Sequence, residues 1–274
     1  MQTEKPPVIT TETHILHSSL LERGVTLNIY YPSSNLASGS VNLLLINDGQ
    51  DLPVMNFENI FSCLYERNII EPIFCVGISC GIDRRNEYGT AKFLDYKGRG
   101  NKSALYSRFI FEELLPFIRG NYEAPDFNKK SFCGFSMGGL SALDIIWNHP
   151  EEFNFAGIFS GSLWWRSVGQ DDPLFNEDDD RIMHYQIKNG GYYPRLKFFF
   201  ETGTKDETAD RNNNGIIDSI DDTLSLIGEL VKKGYDPVKD IRYLELPDGK
   251  HDVATWGKAF PEFLEWGWSN NKLI

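Results

Sequence analysis

Gly134-Phe135-Ser136-Met137-Gly138-Gly139 is the stretch whose reading decides the fold. It follows a strand-like run, Lys130 to Cys133, and opens a helix-like run, Leu140 to Asn148. In that setting G-x-S-x-G reads as a nucleophile elbow, a strained strand-to-helix turn that lifts one serine hydroxyl out of a sheet. The glycines leave room where Cβ atoms would collide, and the helix N-terminus lies beneath the serine. Ser136 is therefore the expected nucleophile. The remaining chain must supply a histidine, an acid and a second oxyanion donor.

Outward from the elbow, strands alternate with helices. Residues 10–32 read as two antiparallel strands. Val41 to Ile46, Ile73 to Ile78, Phe155 to Phe159, Leu196 to Glu201 and Ile241 to Leu246 read as buried strands. Helices are expected over 55–67, 103–119, Thr223 to Lys233 and 252–268. A long polar loop spans 81–101, and a polar excursion runs through Asp180. This order implies one α/β-hydrolase domain over residues 1–274, with a mostly parallel central sheet and helices on both faces. Function in such sheets gathers at the carboxyl ends of the strands.

Composition narrows the partners. The 274 residues carry a formal charge of −12, which repels nucleic acid and anionic membranes. No apolar run has the length of a membrane span. The N-terminal stretch has neither a basic n-region nor an apolar h-region, so a cytoplasmic location is expected. Cys63, Cys75, Cys80 and Cys133 form no C-x-x-C pair and read as reduced core thiols, which fits that compartment.

Among the five histidines only His251 follows the last strand, in Pro247-Asp248-Gly249-Lys250-His251-Asp252. That position makes it the expected base. The acid belongs between Ser136 and His251, after the preceding strand. Asp206 in Thr202-Gly203-Thr204-Lys205-Asp206-Glu207 is the choice, with Glu207 and Asp210 as competitors. An oxyanion hole needs two convergent N–H groups. Met137, after the nucleophile, supplies one. Gln50, in Asp48-Gly49-Gln50-Asp51, is the choice for the other.

These residues carry a resemblance. The Leu-Ile-Asn-Asp-Gly-Gln strand end in the 43–50 region, the elbow, Phe-Ser-Gly-Ser at 159–162, Gly-Thr-Lys-Asp at 203–206 and Gly-Lys-His-Asp at 249–252 span nearly the whole chain. Together they resemble the putative-esterase family of α/β-hydrolases, which includes enterochelin-type siderophore esterases, feruloyl esterases, S-formylglutathione hydrolase and mycolyltransferases. The resemblance implies Ser136 as nucleophile, Asp206 as acid, His251 as base, and the Gln50 and Met137 amides as oxyanion hole. Arg84 and Glu87 resemble an R-x-x-E element of siderophore esterases.

Arg84, Trp164 and Trp165 are the expected substrate-facing residues. Adjacent side chains on an extended segment point opposite ways, so one tryptophan is expected in the site and the other in the core. Arg84 suits an anionic or polar acyl group, unless Glu87 or Asp83 engages it. Residues 210–221 fit a twelve-residue EF-hand loop, with ligands from Asp210, Asn212, Asn214, the Ile216 carbonyl, Asp218 and Asp221. A structural Ca²⁺ is expected there, although no helix precedes the loop and position 12 is Asp rather than Glu. The alternative is an Asx-rich turn before a helix. Catalysis itself needs no cofactor. The leading expectation is a serine hydrolase acting through an acyl-enzyme on a siderophore, carbohydrate or aryl ester. An acyltransferase, or a calcium-stabilised binding module without activity, are the alternatives.

Overall fold

The computed structural model describes residues 9–33, 41–122 and 127–270. Residues 1–8, which carry most of the reading against a leader segment, lie outside them. Among the described residues eight strands form one sheet: β1 (Ile9–Ser18), β2 (Arg23–Pro32), β3 (Asn42–Asn47), β4 (Ile73–Ile78), β5 (Lys130–Phe135), β6 (Phe155–Phe159), β7 (Lys197–Lys205) and β8 (Ile241–Lys250). Their order is β1-β2-β4-β3-β5-β6-β7-β8. The β1–β2 and β2–β4 pairs are antiparallel and the remainder parallel.

Apolar side chains alternate between two cores because successive strand residues face opposite ways. Leu43, Leu45, Phe132, Phe198 and Phe200 enter one core. Leu44, Ile46, Cys133, Phe135 and Phe199 enter the other. The first is covered by α3 (Ser103–Phe109), α4 (Leu115–Asn121), α5 (Met137–Asn148), α7 (Ile182–Asn189) and α8 (Asp218–Lys233). The second is covered by α1 (Phe57–Glu66) and α9 (Val253–Trp268). Short α2 (Arg84–Glu87) and α6 (Glu177–Asp180) lie in the polar segments.

Several boundaries differ from the sequence reading. The helix expected over 103–119 contains a π-helical turn, Ile110–Leu114, between α3 and α4. Helix α8 begins at Asp218 rather than Thr223, so its first turn takes the last four residues of the expected calcium loop. Strands β7 and β8 run on to Lys205 and Lys250 through polar residues that an apolar-run reading leaves out. All four cysteines are free, but Cys63 is exposed rather than a core thiol. No helix among the described residues is long and apolar enough to cross a membrane.

Candidate active site

Ser136 joins β5 to α5 with φ 54° and ψ −121°, outside the comfortable region for a side-chain-bearing residue. Its N–H donates to the Phe159 carbonyl (2.9 Å), and its carbonyl accepts from Ser162 N–H (3.1 Å). A Cβ on Gly134 would sit 2.5 Å from the Gly138 backbone, and one on Gly138 would sit 2.4 Å from Asp48 Oδ2. Both glycines are therefore required by close approach. The Ser136 hydroxyl lies 3.3 Å from Ser162 Oγ.

The strand extensions bring the expected acid and base together. Lys205 of β7 pairs in register with Lys250 of β8, beyond a bulge at Gly203/Lys205. Asp206 and His251 are the next residues along these parallel neighbours, and they share a cavity of about 80 Å³ with Ser160, Trp164 and Glu207. Neither Asp206 oxygen has a hydrogen-bond partner among the described residues. Burial raises the Asp206 pKa, opposed by the Ser160 hydroxyl and the His251 charge. The outer edge of His251 is exposed, while its ring meets Trp256 edge-on at 5.4 Å. Desolvation on that inner side lowers its pKa against the pull of Asp206. A neutral imidazole at neutral pH is the form that accepts a serine proton. No hydrogen bond joins Ser136, His251 and Asp206 to one another among the described residues; such contacts commonly tighten only with substrate bound.

The expected oxyanion donors lie on the two turns that face each other. Gly49–Asp51 is a short 3₁₀ turn after β3, entered through Asp48 at φ 61°. The Gln50 side chain donates to Asp48 Oδ1 (3.3 Å) and accepts from Cys80 N–H (3.1 Å). The backbone N–H groups of Gln50 and Met137 donate to no acceptor among the described residues. Between these turns lies Arg84. Its Nε and Nη2 each donate to Asp48 at 2.7 Å, and Nη2 also reaches the Phe135 carbonyl at 3.2 Å.

The family model for "Putative esterase" matches residues 18–266. The chain belongs to that esterase family. It is 23% identical over 250 residues to the uncharacterized protein YbbA of Bacillus subtilis, covering 88% of this chain and 91% of that one. It is 24% identical over 149 residues to the iron(III) enterobactin esterase of Escherichia coli K12, covering 54% and 32% of the two chains. The enterobactin esterase of Shigella flexneri, solved in the presence of enterobactin, superposes with a TM-score of 0.71 at 21% identity, over 94% of this chain and 58% of that one. The siderophore hydrolase EstB of Aspergillus nidulans gives 0.66 at 18% identity, over 96% and 98%. This chain thus spans under three-fifths of the Shigella enzyme and about a third of the Escherichia one. At such identities the likeness carries the fold.

Within this esterase-family chain, two substrate-facing expectations change. Trp165 is fully buried against Gly89 and Gly100, so it belongs to the core rather than to a pocket. Trp164 is the partner that lines the cavity beside His251. Arg99 lies over both rings at 5.1 and 5.2 Å. Arg84 is engaged neither by Asp83, which binds Lys102, nor by Glu87, which binds Arg23, but by Asp48. Two of its three nitrogens are bonded inside the protein, and Nη1 has no hydrogen-bond partner among the described residues.

The 210–221 loop is held by Asx turns. Asp210 accepts from the Asn214 and Gly215 amides, Asn212 from the Asn214 amide, and Asn214 from the Ile216 amide. Asn212 Nδ2 donates to Asp221 (2.8 Å), which brings the third and twelfth positions together. Asp218 departs from the expected set: it accepts from Arg211 N–H (2.8 Å) and faces the Arg211 guanidinium (3.3 Å). Among the described residues no three His, Cys, Asp or Glu side chains gather as a metal cluster. Sequence reading did not single out Ser162, Glu201 or Trp256, nor the Asp48 carboxylate. Glu201 left a signal, a lone acid ending Phe198-Phe199-Phe200.

Proposed function

We propose that this chain is a carboxylic-ester hydrolase working through an acyl-enzyme on Ser136. The observation that carries the reading is the pairing of Lys205 with Lys250, which leaves Asp206 and His251 as the next residues at the carboxyl end of the sheet, the end at which the strained elbow carries Ser136. His251 removes the Ser136 proton as Oγ attacks the ester carbonyl. The tetrahedral oxyanion is held by the Gln50 and Met137 amides. His251, its charge balanced by Asp206, then protonates the leaving alcohol, and water repeats the sequence to release the acid.

Trp164 at the cavity and Arg84 Nη1 nearby suit an aromatic or polar ester, which favours a siderophore, aryl or carbohydrate ester; the similar proteins named above include enterobactin esterases and a siderophore hydrolase. Hydrolysis of enterobactin, feruloyl and p-nitrophenyl esters tests the reading. Ser136→Ala is expected to lower kcat by roughly 10³-fold or more. Undiminished turnover by that variant sinks it.

The Asx loop supports a structural Ca²⁺ held by Asp210, Asn212, Asn214, Asp221 and the Ile216 carbonyl. Asp218 joins that set only by leaving Arg211. The ion has no part in the chemistry at Ser136.

A further inference from the structure

The mechanism leaves one buried carboxyl without a task. Glu201 is 1% exposed on β7, in register with Phe159 of β6. Ser160, directly after β6, donates its N–H to the Glu201 carbonyl (2.8 Å). Its hydroxyl lies 3.5 Å from Glu201 Oε2, while Oε1 has no partner among the described residues. No hydrogen bond joins that hydroxyl to Asp206 among the described residues, but it lies close enough to draw the Asp206 pKa down. Ser160 and Asp206 line one cavity with His251. From the opposite side Trp256 Nε1–H donates to Ser160 Oγ (2.9 Å). A hydroxyl has one proton to give. With Trp256 occupying a lone pair, two carboxyls compete for that proton.

We propose that Glu201 is a positioning residue for the acid of the triad, deciding through the Ser160 hydroxyl whether Asp206 is held toward His251. This rests on the roles proposed for Asp206 and His251. A neutral Glu201 is the weaker acceptor, and Ser160 then donates to the Asp206 carboxylate. An ionised Glu201 takes the proton for itself and frees Asp206 from its anchor. The charges that act on Glu201 are Asp206, from the loop after β7, and Asp252, at the start of α9. Tyr243 of β8 also faces it, with its hydroxyl bound to Thr202 (2.7 Å) and Glu245 (2.9 Å). Burial and the two negative charges push Glu201 up to about 8, so the exchange falls just above neutrality.

The test is the pH dependence of Ser136 phosphonylation by a fluorophosphonate, with loss of fluoride, in the intact chain, in wild type, Glu201→Gln and Ser160→Ala. The wild-type rate is expected to fall about tenfold or more between pH 7 and pH 9.5. In both variants that ratio is expected near one. An alkaline fall that persists in Glu201→Gln overturns the proposal. Should that variant fail to fold, a fall that persists in Ser160→Ala overturns it equally. Labelling that continues in Ser136→Ala instead removes the nucleophile reading; labelling confined to Ser136 with unaltered variant profiles removes only the role of Glu201.

Discussion

Ser136 occupies a backbone conformation that costs an L-residue about 1–3 kcal/mol, and it is stitched to the end of β6 and the turn after it by the bonds to Phe159 and Ser162. The elbow was legible because its glycines are forced by contact, and contact demands leave a pattern in sequence. Glu201 was far less legible. Its burial depends on where β6 and α9 close over β7. Its raised pKa makes a stability prediction. The folded protein keeps a proton that an unfolded chain has released, so this group's contribution is intact near pH 4.5 and is lost as pH rises toward about 8. The loss is about 1.4 kcal/mol per pH unit across that window. Glu201→Gln removes it, so urea denaturation should show the variant gaining on wild type between pH 5 and pH 8. A constant difference would place the Glu201 pKa near its ordinary value.

At the scale of elements, the site depends on two strands being longer than their apolar runs. The residues of β7 and β8 that position Asp206 and His251 are polar, so periodicity ended those strands four residues too early. The catalytic assignments do not depend on those boundaries, because they rest on chain order and loop placement. The Arg84–Asp48 pair had no such support, since residues 36 apart meet only through the sheet order. This pair ties the β3 turn carrying Gln50 to the β5 end carrying Ser136. Lysine cannot reproduce the two-pronged grip on a carboxylate. Arg84→Lys should therefore lower kcat about 10- to 100-fold with a much smaller change in KM, because misplaced oxyanion donors weaken the transition state. A rise in KM at unchanged kcat would instead show that the grip on Asp48 does not place the oxyanion donors.

At the scale of the whole molecule, the α/β architecture was readable from the buried runs, each apolar on both faces. Which core each helix covers was not, because it follows from connection handedness and packing. Phe263 of α9 packs on Phe159 and Phe199 at 5.6 and 5.3 Å, deep in the second core. Phe263→Ala should cost about 3–5 kcal/mol, measured by denaturant unfolding. The 210–221 loop answers to a different measurement. If Ca²⁺ binds there, EGTA should lower the melting temperature and added Ca²⁺ should restore it. A melting temperature unmoved by confirmed metal removal leaves the Asx turns as the whole of that loop's support. The central claim, that Ser136 carries the acyl group, is tested most directly by acid-quenching the protein during turnover of a p-nitrophenyl ester and mapping the adduct by peptide mass spectrometry. The account predicts one acyl adduct, on the peptide containing Ser136 and absent from Ser136→Ala. An adduct on another residue, or turnover with no covalent intermediate under single-turnover conditions, would contradict it.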